Sequence, residues 1–468
     1  MIDLIRRHPR DRPAVLGPGA DASLSYGELM DRVDDAADRL RVVAEQRALV
    51  FLALAPDPSG VVLYLACLQA RLPLCLAETQ AEPFARLART YAPKLLLLPD
   101  ALAPPDGYRQ GPAPVPGYRA WVGGSEPVAL HPDLALLLTT SGSTGNPKLV
   151  RLTAANLEAN ALAIGEYLGL GPDERAIQSL PMHYSYGLSV LNSHLVAGGS
   201  VVLTVHSFIR PEFWAAVDEA RCTSFAGVPY MYETLHRLRR DPGRHRSLRA
   251  LTQAGGGLRR ELVLHFMELA QRADTRLFVM YGQTEATARI SYVPPEHLPR
   301  KIGSIGIAIP GGRLRLAPVD GSAQHAELVY EGPNVMMGYA EGPADLALGD
   351  VQGGVLRTGD LGTADADGYH SVVGRLKRFA KLFGRRVSLE DVEREVESAF
   401  PVRAMAADGG DRIVLVAEQD TDAGRAEIAR HVARFLGVPP AAVEVRIVDG
   451  LPRTSTGKKD YSHLEAPR

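Results

Sequence analysis

Residues Leu134 to Val150 read LALLLTTSGSTGNPKLV, an apolar strand that runs straight into a loop of glycines, small hydroxyl residues and one lysine. Glycine lets a backbone turn its N–H groups toward an anion, Ser141, Ser143 and Thr144 add hydroxyl donors, and Lys148 adds positive charge. The stretch is a candidate phosphate cradle. It is not a P-loop, because Gly142 and Gly145 are followed by Asn146, Pro147 and Lys148 where GxxxxGK[ST] would be needed. The plainer alternative is a flexible surface loop, since turns of this composition are common.

Outward from the cradle, short apolar runs alternate with amphipathic segments. Ala48 to Ala55 reads as a strand and Ser59 to Gln69 as a helix covering it. Further strands are predicted at Lys94 to Leu98, Leu134 to Thr140 and Ser200 to Thr204, with helices at Thr153 to Tyr167 and Pro211 to Ala220. Such alternation specifies an α/β fold, with parallel-rich sheets flanked by helices. Ala101 to Pro132, rich in proline and glycine, reads as an extended connection inside the large domain. Beyond Ser304 shorter strands with Gly and Asp-Gly turns suggest a β-rich subdomain ending near Gly374. A small α+β domain follows, with helices at Leu389 to Ala399 and Arg425 to Phe435 and a strand at Arg412 to Glu418. The expected division is a large domain over 1–375 and a small one over 376–468, which suits a chain of 468 residues.

Composition narrows the function classes. The chain is 46% hydrophobic and 23% charged, as in ordinary globular proteins, and its formal charge of −2 offers no general attraction to nucleic acid or anionic membrane. Cys67, Cys75 and Cys222 form no CxxC, so they are expected as buried apolar residues, with neither disulfide nor zinc. No signal-peptide core or membrane-spanning run is read, so a cytoplasmic protein is expected, with small molecules or proteins as partners and a monomeric or homodimeric state.

The loop at 139–150 resembles the third core motif of the AMP-forming ligase superfamily, which includes acyl-CoA synthetases, peptide-synthetase adenylation domains and beetle luciferases. Further matching stretches follow in the family's order: LSYGEL from Leu24's neighbourhood, LPMHYSYGLS at 180–189, LTQAGGG at 251–257, YGQTEAT at 281–287, AELVYEGPNVMMGY at 326–339, RTGDLG at 357–362, the run 367–393 containing VVGRLK, and PRTSTGK at 452–458. The resemblance covers the chain from about Ser23 to its end.

It implies a large N-terminal domain, a small mobile C-terminal domain, and an enzyme that joins a carboxylate to the α-phosphorus of ATP, releases pyrophosphate, and passes the acyl group to a thiol. The thiol would be coenzyme A or a phosphopantetheinyl carrier protein. By the same resemblance Thr140, Ser141, Gly142, Ser143, Thr144, Gly145 and Lys148 cradle phosphates. Tyr281 and Gly282 meet the adenine, Thr284 bonds the AMP phosphate, and Glu285 holds Mg²⁺, for which a hard oxygen is suited. Asp360 takes the ribose hydroxyls, supported by Arg375, while Gly255 and Gly256 let the chain pass close to the base and the acyl group. Lys458 is implied as the catalytic lysine. Lys377 stands at the hinge, and Lys381 and Gly384 at the thiol channel. His183, Tyr184, Tyr186, Val228, Pro229, Tyr230 and Gly257 would line the acid pocket, with His183 read as a rim residue more readily than as a base. Taken without the family, Asp360 is as readily a turn residue, Glu285 and Lys377 solvated charges, and Lys458 part of a solvated tail. The basic run at 236–249 is read as a solvated helix end, or else a contact for acidic partners.

Leu149 replaces the glycine that commonly follows the loop lysine in the family, and Arg453 replaces a common lysine. Neither removes a catalytic group. Other readings keep adenylation but transfer to an amine, activate a small oxyacid such as nitrite, or retain nucleotide binding without turnover. An ADP-forming P-loop ATPase is disfavoured by the spacing.

Overall fold

The computed structural model describes residues 1–18, 22–78, 81–124, 128–139, 148–319, 326–376, 378–383, 385–410, 412–418, 424–454, 459–461 and 464. Described residues of 1–314 and 330–356 form one compact unit, and those of 315–329 and 357–468 form a second. Among them no helix is long and apolar enough to cross a membrane.

Two large sheets organise the first unit. In one, Pro13–Leu16, Ser200–Val202, Arg175–Ile177, Ser224–Gly227, Ala250–Gln253 and Arg276–Tyr281 lie side by side in parallel. Ser291–Val293 then returns antiparallel beside Arg276–Tyr281. In the other, Leu134–Thr139, Leu74–Ala77, Val50–Ala53 and Leu95–Pro99 are parallel. The reason is visible in Leu95 to Leu98, an unbroken buried leucine run that suits a strand covered on both faces.

The predicted helix after Val50–Ala53 is found at Pro58–Gln69. Asp57 caps it by accepting from Gly60 N at 2.7 Å, and Pro58 occupies the first turn, where its missing N–H costs nothing. This helix is apolar on every side and buried from Gly60 to Cys67, and Ser185–Val196 is buried along its whole length although it carries Asn192 and His194. Both contribute to a core that includes residues of both sheets, and Asn192 Nδ2 donates to the Tyr64 hydroxyl between them at 3.0 Å. The serine of LSYGEL has a structural role of its own. Ser25 and Glu28 form a reciprocal capping box that starts Tyr26–Ala44.

The region Ala101 to Pro132 departs from the extended connection expected. Tyr108–Gln110 and Tyr118–Gly123 pair antiparallel there, and the second strand adds to the edge of Leu95–Pro99. Alternation in YRAWVG buries Tyr118, Ala120 and Val122, a period-two signal that the proline and glycine content obscured. Cys67, Cys75 and Cys222 are buried free thiols, with Cys67 pushed up to about 12 by burial. The basic run is partly engaged within the fold, since Arg249 pairs with Glu174 at 3.0 Å and His245 Nδ1 with Asp218 at 2.9 Å.

In the second unit Asp360–Ala364, the end of the strand Val355–Ala364, pairs antiparallel with His370–Arg375, followed by the hairpin Phe379–Leu382 with Arg385–Ser388. Ala404–Asp408, Ile413–Glu418 and Val443–Val448 make a separate sheet, packed on the helices Leu389–Ala399 and Arg425–Leu436. A buried ionic cluster lies here. Glu393 receives Arg378 Nη2 at 2.8 Å, Lys459 Nζ at 3.1 Å and the Tyr461 hydroxyl at 3.0 Å, while Lys459 also meets Glu397 at 3.0 Å and the Ala404 carbonyl at 2.7 Å. Lys459, in the C-terminal tail, is docked by three acceptors.

Candidate active site

The strand Arg276–Tyr281 delivers YGQTE to the end of a parallel sheet, where α/β proteins collect ligand sites. Gly282 turns so tightly that a Cβ there would lie 1.9 Å from the Ala288 carbonyl oxygen. Thr284–Ala286 then makes one 3-10 turn, and Thr287 leaves it at φ 63°, a left-handed conformation that strains a β-branched residue. Buried Asn334 holds this turn in place. Its Nδ2 donates to the Ala286 and Arg289 carbonyls at 2.8 Å each, its carbonyl accepts from Thr287 Oγ1 at 2.7 Å, and its Oδ1 accepts from the Tyr330 hydroxyl at 2.8 Å. Gly282→Ala is expected to cost ~1–3 kcal/mol of stability through overpacking, read as a lower unfolding midpoint.

With the backbone satisfied in this way, the side chains of Thr284 and Glu285 are left for other partners. Thr284 Oγ1 lies 3.2 Å from Ser185 Oγ at the start of the helix Ser185–Val196. Glu285 Oε1 accepts from the Tyr339 hydroxyl at 2.7 Å, and burial together with the Glu285 charge raises the Tyr339 phenol above its ordinary range. Lys148 stands 5.8 Å from the centre of the Tyr339 ring and pairs with Glu341. The loop lysine and the YGQTE glutamate are thus linked through one tyrosine. The Tyr281 hydroxyl accepts from Gln283 Nε2 at 3.2 Å.

Glu285 pairs with no cation among the described residues, and one carboxylate with an open oxygen fits Mg²⁺, which keeps waters and shares substrate phosphates. Bound there, the ion would neutralise charge on phosphate oxygens.

Several of the residues expected in the acid pocket also meet. Gly255, at φ 88°, would carry a Cβ 2.8 Å from the Tyr184 hydroxyl and 3.1 Å from Val228 Cγ1, and one on Gly256 would lie 3.3 Å from Pro229 Cγ. A Cβ on Gly257 would meet nothing within 4 Å, so that glycine makes no close approach. The Tyr184 and Tyr186 rings are 6.4 Å apart in an edge arrangement, and Tyr230 faces Phe208 at 6.3 Å. Burial pushes the Tyr184 and Tyr186 phenols up to about 12, so both stay neutral near pH 7. The Tyr186 hydroxyl donates to the Thr252 carbonyl at 3.0 Å, while His183 Nε2 lies 3.3 Å from Glu78 Oε1.

In the second unit Asp360 sits opposite Arg375 in the antiparallel register, with Arg375 Nε 3.0 Å from Asp360 Oδ1. The carboxylate is 4% exposed while the arginine is 58% exposed, so the pair sets a held carboxylate acceptor beside a largely exposed guanidinium. The Lys381 backbone lies in the hairpin Phe379–Leu382 with Arg385–Ser388. Thr140, Ser141, Gly142, Ser143, Thr144, Gly145, Lys377, Gly384 and Lys458 lie outside the described residues, as does the side chain of Lys381.

Sequence reading missed Tyr339, Ser185 and Asn334. Tyr339 closes the quoted stretch AELVYEGPNVMMGY, and a tyrosine after glycine on a short strand was its signal. Asn334 carried none, because its role is to satisfy carbonyls from a segment remote in sequence.

The model of the family described as AMP-binding enzyme matches residues 3–340. The chain is similar to a feruloyl-CoA synthase of an Amycolatopsis species, 33% identical over 351 residues, with 71% of this chain and 69% of that protein covered. It is likewise similar to a sulfoacetate–CoA ligase of Cupriavidus necator, 33% identical over 344 residues, covering 70% and 66% of the two chains. Its fold is that of the o-succinylbenzoate coenzyme A synthetase of Bacillus subtilis solved with ATP and a magnesium ion, with a TM-score of 0.78 at 21% identity over 99% of this chain and 98% of that one. The chain therefore belongs to the AMP-binding enzyme family and is an ATP-dependent, AMP-forming acid–thiol ligase.

Proposed function

We propose that Lys148, Thr284 and Glu285 activate a carboxylic acid as its acyl-adenylate and that coenzyme A then takes the acyl group. The observation that carries this reading is the hydrogen bond from Tyr339 to Glu285 with Lys148 over the same ring, which gathers a cation and a carboxylate about one tyrosine, on the turn that also carries Thr284. In the first half-reaction a carboxylate oxygen bonds to the α-phosphorus as the bond to the bridging oxygen breaks, and pyrophosphate leaves with the electron pair. Two anions must approach, so fixed positive charge and donors supply most of the acceleration. In the second, the thiol loses its proton, sulfur bonds to the acyl carbon, and AMP departs.

Asp360 and Arg375 are assigned to the ribose, and Lys458 to the α-phosphate and incoming carboxylate. The region from 376 onward is assigned as a mobile domain turning at Lys377, which withdraws Lys458 and brings the segment around Lys381 to Gly384 toward the thiol. Support for coenzyme A as acceptor comes from the two relatives, both named as users of it. We place the reaction in the cytoplasm, in keeping with three buried thiols.

The test is a panel of acids scored for AMP release with and without coenzyme A, alongside exchange of labelled pyrophosphate into ATP. An accepted acid is expected to support exchange alone and to give its thioester when coenzyme A is added. Lys458→Ala should slow exchange while sparing thioester formation from supplied acyl-adenylate. Failure of every acid to promote exchange, or formation of ADP, would overturn the proposal, and a product on a carrier thiol or an amine would replace the acceptor.

A further inference from the structure

Lys459 stands next in sequence to Lys458, and Arg378 stands next to Lys377. One carboxylate joins these two neighbours. Glu393, 7% exposed on the helix Leu389–Ala399, has both oxygens filled twice: Oε1 accepts from Arg378 Nη2 and Ala406 N at 2.8 Å each, and Oε2 accepts from Lys459 Nζ at 3.1 Å and the Tyr461 hydroxyl at 3.0 Å. The Lys459 ammonium also reaches Glu397 Oε1 at 3.0 Å and the Ala404 carbonyl at 2.7 Å, so its three donors meet three acceptors. Arg378 is tied down on two further sides. Its guanidinium carbon lies 3.8 Å from the centre of the Tyr461 ring, and its carbonyl accepts from Leu389 N, at the start of the same helix, at 3.1 Å.

The backbone of the tail is registered as well. Arg453 and Lys459 form an antiparallel bridge, and Asp460 N donates to the Pro452 carbonyl at 2.9 Å, which closes the PRTSTGK stretch at its base. Leu451, where the stretch begins, is buried against Met405 and Val416, and Tyr461 packs on the same group. Apolar contacts of that kind hold the tail to the sheet, but they have no direction and tolerate a slip along the chain. An ammonium with three fixed acceptors does not. A buried ion pair is often no more stabilising than an apolar replacement of the same volume, so the distinct contribution of this one is a defined register. Register matters because Lys458 and Lys459 are chemically alike, and a slip of one residue would offer Lys458 to Glu393 and Glu397 instead.

We infer that Lys459 is a positioning residue for adenylation: pegged between Glu393 and Glu397, it fixes the register of the tail so that Lys458 is the lysine delivered to the α-phosphate, and it ties that lysine into one body with the residue that follows the hinge. This deepens the proposed function and rests on the roles assigned there to Lys458 and Lys377. The effect of Lys459 on substrate passes through Lys458. Because Arg378 and Glu393 keep each other when Lys459 is changed, the thiol step, which does not use Lys458, is spared.

The test uses the full chain and the acid of the panel that exchanges fastest. Exchange of labelled pyrophosphate into ATP is measured separately from thioester formation by coenzyme A on the supplied acyl-adenylate. Lys459→Met, which keeps the length and removes the charge, is expected to lower kcat of exchange by ~10- to 100-fold, since a misplacement of ~1 Å in a group at the reaction centre costs up to about 10² in rate. The KM for ATP and the thioester step should stay close to those of the unaltered enzyme, and Lys459→Arg should recover most of the exchange rate. Unaltered exchange in Lys459→Met, an equal loss in both half-reactions, or a Lys459→Arg no faster than Lys459→Met would each overturn the inference. If Lys459→Met does not fold, Glu397→Gln decides, because it leaves Glu393 and its donors in place: a selective loss of about three- to tenfold in exchange supports the inference and no loss overturns it. Lys458→Ala is run beside them. Unaltered exchange there would remove the role proposed for Lys458 and this inference with it, whereas a loss there with none in Lys459→Met would overturn the inference alone.

Discussion

Pyrophosphate exchange into ATP is expected to fall by ~10²–10³-fold in Glu285→Ala, the loss typical when one fixed group that stabilises transition-state charge is removed. Glu285 is placed for that work by a turn whose own hydrogen bonds are met by Asn334, and one of its oxygens is held by Tyr339 at 2.7 Å. The side chain adds nothing to the turn's closure, so its loss should leave the unfolding midpoint close to that of the unaltered protein. Tyr339→Phe keeps the carboxylate but frees its orientation, and a smaller decrease of about tenfold is expected, as for a hydrogen bond to a charged group. Exchange measured at saturating Mg²⁺ and acid separates a chemical defect from weak binding. An unaltered exchange rate in Glu285→Ala would remove the metal role assigned here.

Glu393→Ala is expected to destabilise the C-terminal unit by ~3–5 kcal/mol, the usual result of deleting one member of a buried ion pair. The glutamate faces Arg378, Lys459 and Tyr461, and its Oε1 also accepts from Ala406 N at 2.8 Å. Arg378 would then lie buried with only Glu390, at 3.6 Å, as a carboxylate partner. Burial alone would raise the Glu393 pKa, but Lys459 and Arg378 outweigh it and hold the group below its ordinary 4.5. Its stabilisation is therefore fully present above 4.5 and is lost as pH falls through the lowered value. Lys459 works in the other direction. Burial disfavours its charge, yet Glu393 and Glu397 raise it above 10.5, so its contribution is complete below that pH and fades only in strong alkali. Hydrogen exchange of amides in Ala404–Asp408 and Ile413–Glu418 would read the loss in that unit alone. Glu395→Ala, which removes a half-exposed partner of His431, should cost ~0–1 kcal/mol and serves as the comparison.

Much of the fold was legible because it is written in local patterns. The leucine run at 95–98 and the Asp57-Pro58 start of a helix state their structures within a few residues. The strands at 108–110 and 118–123 were hidden because prolines and glycines around them carry the stronger turn signal, whereas pairing with Leu95–Pro99 decides the outcome. The site divides similarly. Thr284 and Glu285 stand in a recognisable segment, and Gly255 near Tyr184 and Val228 follows from the glycine run beside the expected pocket. Arg289 reads locally as a surface charge. Its burial follows from the antiparallel return at Ser291–Val293 and from Asn334 holding the Arg289 carbonyl, neither of which a short window of sequence contains.

The constriction at Gly282 has a practical corollary for anyone diversifying this catalyst toward new acids. The backbone there leaves no room for a side chain, so random libraries that include the position will be enriched in destabilised variants. Screening effort belongs instead on neighbours whose side chains already face open space, where changes of shape and charge translate into altered selectivity and leave the scaffold intact.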